Sequence, residues 1–511
     1  MTQENLLIAG AGPTGLVLAL WLAKMGIHAR IVAKSAGPGT ASRAVVVQAR
    51  TLELYRQAGL TEAVIARGHE IDALHLWVKG EKRARVPFHA IGADLTPYPF
   101  VHAFPQDEHE RLLLDRLRQE GVEVEWNTEV LACENVDEIV HVSLRKPDGT
   151  EEDFEAAYLI GCDGAHSRVR ASVAQDFPGG TYKQLFYVAD IEGRGEAFDG
   201  DIHLDLDTED FLGVFGLSRD GRARLIGTIR EDRIADADTL GFDDVSHRAI
   251  DDLKLKVDKV NWFSTYHVHH RVAPSFRAGR IFIAGDAAHI HSPAGGQGMN
   301  TGIGDAINLA WKLAAVLKRQ ASDRLLDSYE AERIGFARRL VETTDRVFTL
   351  ATTEGHVAEM VRTRLAPVIA PLVMGLPAAR EYLFRTVSQI MLNYRNSMLC
   401  NGKAGHIHGG DRLPWLHGEG FDNYENMHYI GWQVHVYGQA STALRQWCDS
   451  HGLPLHEYPW RTEFAAHGYA RNALYLLRPD TYVALAEESG SAKAIERYFM
   501  QRELVSDAMI D

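Results

Sequence analysis

Cysteine is scarce: Cys133, Cys162, Cys400 and Cys448 are the only four in 511 residues, and no Cys-x-x-Cys occurs. So thin and scattered a set excludes a disulfide framework, a zinc ligand set and a dithiol redox centre, and fits a reducing compartment. Positive charge is also in deficit, with 54 Lys and Arg against 69 Asp and Glu, for a net charge of −15. That balance repels nucleic acid and anionic lipid surfaces and leaves a neutral or locally steered small molecule as the expected partner. No apolar run reaches the length of a membrane span. The stretch 365–378 is apolar but broken by Pro367, Pro371 and Pro377, and reads as short packed helices. The opening Met1–Asn5 has no basic segment, so no signal peptide is read there and a cytoplasmic location is expected.

What is present is an ordinary globular composition, 46% hydrophobic and 24% charged, on a chain long enough for two to four domains. Near its start the apolar run Asn5–Ala9 is followed by Gly10-Ala-Gly-Pro-Thr-Gly15 and then by a helical pattern, Leu16 to Met25. This is the order strand, tight turn, helix. Gly10 permits the sharp turn, Gly12 lets a pyrophosphate approach the backbone, and Gly15 lets helix and strand pack closely. Pro13 suits the first helical turn. A second strand pattern, His28 to Ala33, should end in the acid that usually accepts the ribose hydroxyls about twenty residues on. That acid is missing: eighteen residues past Gly15 stands Ala33, followed by Lys34.

Farther along, Asp107 to Gln119 has a broad apolar helix face, and Val122–Trp126, Val130–Cys133, Val140–Leu144 and Glu152–Phe154 read as strands, the last two joined by the turn Pro147-Asp148-Gly149. From Phe177 to about Tyr266 short strands take over, which reads as an antiparallel sheet inserted into an α/β domain. In Asp201–Asp207 the alternation predicts Ile202, Leu204 and Leu206 buried and His203, Asp205 and Asp207 on a solvated acidic face. The segment lacks the glycine and distal glutamate of a calcium loop. Tyr187, His203 and Arg224 are expected to be structural, on the solvated face of this sheet. His267, His269 and His270 lack an acidic or cysteine partner nearby in sequence, so no metal is expected.

A second crevice-facing edge comes later. Arg280 to Ala284 is a buried strand pattern ending in Gly285-Asp286. The glycine-rich run Ser292 to Asn300 and a helix, Ile303 to Leu317, follow. A carboxylate at a strand's C-terminal end can hold sugar hydroxyls, while helix N-terminal amides meet negative charge. His289 falls where a helix start near the cofactor is expected.

Gly10–Gly15, then Tyr158-Leu-Ile-Gly-Cys-Asp163-Gly164-Ala-His-Ser167-Arg-Val-Arg170, then Gly285-Asp286-Ala-Ala-His289 with Pro293 and Gly295–Asn300, resemble in order and interval the three fingerprints of the class A, single-component FAD-dependent aromatic monooxygenases. Ser42-Arg43-Ala44 and Arg50-Thr51-Leu52-Glu53 look like the phenol-hydroxylase and polyketide-hydroxylase branch. The likeness runs from residue 5 to about 345.

The resemblance implies a Rossmann-like FAD-binding domain with its following helices (1–72, 100–176, 267–400), an inserted β-sheet substrate domain (73–99, 177–266) and a C-terminal thioredoxin-like domain (401–511) without Cys-x-x-Cys. In that last domain Gln433–Tyr437, Ala443–His451 and Ala473–Leu477 read strand, helix, strand, and Thr481 stands where the family usually has glycine. Gly10, Gly12, Pro13, Thr14 and Gly15 would cradle the FAD pyrophosphate. Arg43 and Gln106 would reach the pyrophosphate and ribityl chain, Lys34 would stand at the ribose, and Val130 would offer backbone groups to adenine. Asp163, Gly164 and Arg170 would serve both FAD and a transiently bound NADPH, expected in preference to NADH. Asp286 would bind the ribityl or pyrophosphate region, and Pro293 with the Gly298-Met299-Asn300 backbone would line the isoalloxazine ring. Arg43 and Pro293 are the expected catalytic-site residues. The implied reaction passes one oxygen atom of O₂ from a flavin C4a-hydroperoxide to an electron-rich phenolic or polyketide-like ring, in a monomer or homodimer. Baeyer–Villiger oxidation, epoxidation, antibiotic inactivation, or ligand binding with little catalysis are the alternatives on the same scaffold.

Overall fold

The computed structural model describes residues 6–39, 44–173, 176–205, 211–229, 240–245, 247–292, 296–352 and 376–505. Arg43, Pro293 and most of the 365–378 stretch lie outside them.

The strand Leu6–Ala9 is apolar throughout and buried on both faces, so it takes the middle of a sheet that is parallel except for one edge strand, Arg277–Ala278. Across that sheet the order is Arg277–Ala278, Ile281–Ile283, Tyr158–Gly161, Leu6–Ala9, Arg30–Ala33, Val124–Trp126. Leu6–Ala9 pairs in parallel with Tyr158–Gly161 on one side and Arg30–Ala33 on the other. The strand order therefore reverses at the first strand, which opens a crevice at the C-terminal ends of all three. The helix Pro13–Lys24 packs between the helices Gln106–Gln119 and Gly298–Leu317. Glu129–Val136, Ile139–Arg145 and Glu151–Ala156 form a meander, of which the hairpin around Pro147–Gly149 is the expected part.

The second sheet has eight strands: His289–Ile290, Leu255–Val272, Gly179–Gly195, Arg222–Ile229, Leu212–Gly216, Ile202–Asp205, Ala73–Val78 and Glu81–Pro87. It is mixed, not wholly antiparallel, because Ile202–Asp205 runs parallel to Ala73–Val78. The predicted solvated face is a second correction. One face, with Trp77, Leu185, Tyr187, Ala189, Leu212 and Leu225, packs under Val245, Ala249 and Ile250 of the segment containing the helix His247–Asp252. The other, with Ile202, Leu204 and Phe215, packs on Val45 and Val46. Covered on both sides, the sheet buries Tyr187, His203, Asp205 and Arg224 almost completely. His289 is likewise part of a two-residue strand and not a helix start.

The third sheet runs Ile407–His408, Asn401–Ala404, Val483–Glu487, Leu474–Leu477, Gln433–Tyr437, Leu455–Tyr458. The last strand, not anticipated, lies parallel to Gln433–Tyr437 after the helix Thr442–Ser450. This sheet and its loops are joined to the elements around the first sheet through buried charge. Arg412 donates to both oxygens of Glu53 at 2.8 and 2.6 Å, and Arg50 donates to Asp480 O and Thr481 Oγ1. Arg478 grips Glu332 at 2.6 and 3.0 Å, while Lys312 donates to the same carboxylate. Among the described residues no helix is long and apolar enough to cross a membrane.

Candidate functional site

Three strand ends converge on one cavity of about 1200 Å³, at least as large as an ordinary small-molecule pocket of roughly 300–1,000 Å³. The glycines of the first turn divide their roles there. Gly10, at φ +104°, lies so close to the neighbouring strand that a Cβ would fall 2.2 Å from Cys162 O, and a Cβ on Gly15 would fall 2.0 Å from Gly10 O. Gly12 also lines the cavity, yet a Cβ there would meet nothing within 4 Å. The first and third glycines thus close the strand–helix junction, while the second leaves backbone open to a ligand. Pro13 removes one donor from the helix start, and no side chain caps it. The next first-turn amides have no partner within the helix and are placed to meet an anion.

The opposite wall carries Asp163 and Gly164. Asp163 Oδ2 accepts the amides of Arg168 at 2.7 Å and Val169 at 3.2 Å, pinning the loop, while Oδ1 is buried without a partner. Burial raises its pKa above the usual carboxylate value. An orphaned buried acceptor beside an open glycine backbone fits a ligand rich in hydroxyl and phosphate groups. Val130 lines the same cavity, as do Lys34, Glu110 and Glu129. Arg170 does not line it. Its guanidinium donates to Ala287 O and Ala165 O at 2.7 and 2.8 Å and lies 3.8 Å over the Phe177 ring, so it stitches the second motif to the third. Gln106 donates to Glu110, whose other oxygen takes the Gly39 amide, so Gln106 acts on the wall through its neighbour.

The third motif reaches the first through Thr14. Gly285, at φ +60°, and Gly302 both approach so closely that a Cβ on either would fall within 2.5 Å of Thr14 Oγ1. Asp286 projects from this turn and is solvent-exposed. Behind it, Asp305 accepts Gly285 N, His289 Nε2 and Arg333 Nε at 3.0, 2.7 and 2.6 Å. Asn300 uses its side chain to tie elements together, accepting Gln48 N and Thr51 Oγ1 and donating to Val46 O and Gly296 O. Gly298 and Met299 open the helix beside it.

The matching family is described as an FAD binding domain and spans residues 3–344. The chain belongs to the FAD-dependent flavoprotein monooxygenases. It is 34% identical to 6-methylpretetramide 4-monooxygenase of Streptomyces rimosus, over 80% of this chain and 73% of that one. It is 28% identical to pentachlorophenol 4-monooxygenase of Sphingobium chlorophenolicum, over 80% and 75%. The solved structure of OxyS anhydrotetracycline hydroxylase from Streptomyces rimosus superposes with a TM-score of 0.76 at 27% identity, covering 98% of this chain and 99% of that one.

In this flavoprotein the sequence reading missed Glu110, Glu129 and Asp305. Asp305 and Lys312 carried a signal, being charged residues on the buried side of an apolar helix. A metal-like group joins His75 and His203, on neighbouring strands of the second sheet, to Asp199 from the loop before Ile202. Trp77 Nε1, which can only donate, donates to His203 Nδ1 at 3.0 Å. That leaves the ring proton on Nε2, donated to Asp199 at 2.7 Å, so Nε2 has no lone pair for a metal.

Proposed function

We propose that this flavoprotein hydroxylates a phenolic or polycyclic aromatic substrate, with NADPH as electron donor. FAD, when bound, supplies the oxygen-activating chemistry; the protein's part is to bind, orient and keep water out. Gly12, the first-turn amides, Val130 and Asp163 would hold the dinucleotide, and Asp286 the chain between pyrophosphate and ring. The carrying observation is the face of the second sheet turned toward the first domain. Its apolar and aromatic residues, Leu204, Phe215, Phe186 and Tyr266, include Leu204, Phe215 and Tyr266 as only partly buried positions. A flat aromatic ring fits such a surface. Arg224, wholly buried, holds Asp190 through two bonds of 2.7 Å and donates to Ala44 O at 3.0 Å, which fixes this face against the first domain.

The relatives named for 6-methylpretetramide, anhydrotetracycline and pentachlorophenol support the same substrate class. We read 73–99 and 177–266 as the substrate unit, with its long strand continuing to Val272, and 401–511 as a thioredoxin-like unit acting through packing or dimer contact. The test is a panel of phenols, quinones and polyketide aromatics, scored for NADPH consumption coupled to a product heavier by one oxygen. NADPH consumption with no oxygenated product from any member would count against the reading.

A further inference from the structure

The missing acid at position 33 has a structural answer on a neighbouring strand. Ala33 pairs with Trp126, after which the chain turns through Asn127 at φ +53°. Asn127 N donates to Ser35 O and Thr128 N to Ala33 O, each at 2.9 Å. Glu129 is thereby delivered alongside the end of the second strand, and both Ala33 and Glu129 line the cavity. Its Oε1 lies 2.8 Å from Lys34 Nζ and its Oε2 3.3 Å from Arg145 Nη1. Those contacts leave acceptor capacity on a group with about four lone-pair sites. Glu129 is set apart from the other carboxylates on the described wall by its place: Asp163, with its open Oδ1, follows the strand on the far side of Leu6–Ala9, whereas Glu129 follows the strand paired with Arg30–Ala33. Glu110 holds Gln106 and the Gly39 amide, and Asp163 holds two amides of its own loop.

Resting on the reading of this cavity as the FAD site, we infer that Glu129 binds the adenosine ribose hydroxyls in place of the acid absent at position 33. Lys34 is then an orienting partner and not the ribose contact. The Lys34 ammonium keeps the Glu129 carboxyl below its usual pKa, hence ionised and a strong acceptor, whereas burial raises that of Glu110.

The test compares apoprotein affinities, by flavin fluorescence quenching, for FAD and for FAD carrying a 2′,3′-dideoxyadenosine. The unaltered protein should prefer FAD by about tenfold, the value of one charge-assisted hydrogen bond. Glu129→Ala should show no preference, and the near-isosteric Glu129→Gln should keep about threefold, as a neutral acceptor does. The ratio is taken within each protein, so a general loss of affinity from altered folding cancels. Equal discrimination in the variants and the unaltered protein overturns the role of Glu129, and so does no discrimination in the unaltered protein. Failure of the unaltered protein to bind FAD at all would instead remove the cofactor reading itself.

Discussion

Asp305 accepts the main-chain N–H of Gly285 at 3.0 Å, so the helix after the second glycine-rich loop holds the turn from which Asp286 projects. The same carboxylate neutralises Arg333, and both side chains are 1% exposed. The Arg333 guanidinium and His289 hold the Asp305 pKa below the usual carboxylate value against the opposing effect of burial. Asp305→Ala would leave a buried guanidinium uncompensated, which costs about 3–5 kcal/mol. Urea denaturation of the apoprotein should show that loss, and the purified variant should carry less flavin per chain. Unchanged stability with full flavin content would contradict the clamp.

Asp286 should hold flavin directly through a charge-assisted hydrogen bond of about 1.5–3 kcal/mol. Asp286→Ala is expected to purify nearly colourless while its apoprotein melts at the normal temperature, because the side chain is exposed. Titration with FAD separates this from the Asp305 case, in which stability falls too.

Thr481 sits at φ +66° in the turn between Arg478 and Tyr482, a region that costs a branched residue about 1–2 kcal/mol. Its hydroxyl repays that strain by accepting Arg50 Nη2 at 2.9 Å across the domain junction. Thr481→Val keeps the strain and loses the bond, and should cost about 2 kcal/mol. Thr481→Gly loses both and should be nearer neutral. A glycine variant less stable than the valine variant in denaturant melts would refute this division.

Burial pushes the pKa of His102 down to about 4 and that of His109 down to about 3, from an ordinary 6.5. Below pH 6.5 the unfolded chain takes up protons that the folded one refuses. Folding stability should therefore fall as pH drops from 6.5 toward 4, by up to about 1.4 kcal/mol per pH unit for each histidine. His102→Gln, able to keep the donor to Val64 O, should flatten that slope when unfolding free energies are compared at pH 7, 6 and 5.

The three motifs were legible because each is local: strand, glycine turn and helix follow one another within about twenty residues. Their shared crevice could be expected from the parallel-sheet pattern alone. The burial of His203, Asp205 and Arg224 could not. Alternation assigns residues to faces of a strand, but whether a face meets water depends on what packs over it. Here that is Val245, Ala249, Ile250 and Leu253 on one side and Val45–Val46 on the other. Leu455–Tyr458 escaped notice for a related reason, being short and of ambiguous pattern.

By itself, then, the sequence determined the kind of cofactor site. Gly10 and Gly15, where a Cβ would fall on neighbouring backbone, have no substitute, Gly12 between them leaves main chain open to a ligand, and the two later motifs following in order make the triplet specific. Tertiary structure alone decided which charged groups serve that site and which hold it together. Glu129 reaches Lys34 across 95 positions, Asp305 stands 20 positions from Gly285, and Arg412 meets Glu53 across 359. Such pairings arise only when the sheets have closed, because a carboxylate's partner is set by distance and desolvation in the folded state, not by neighbours along the chain.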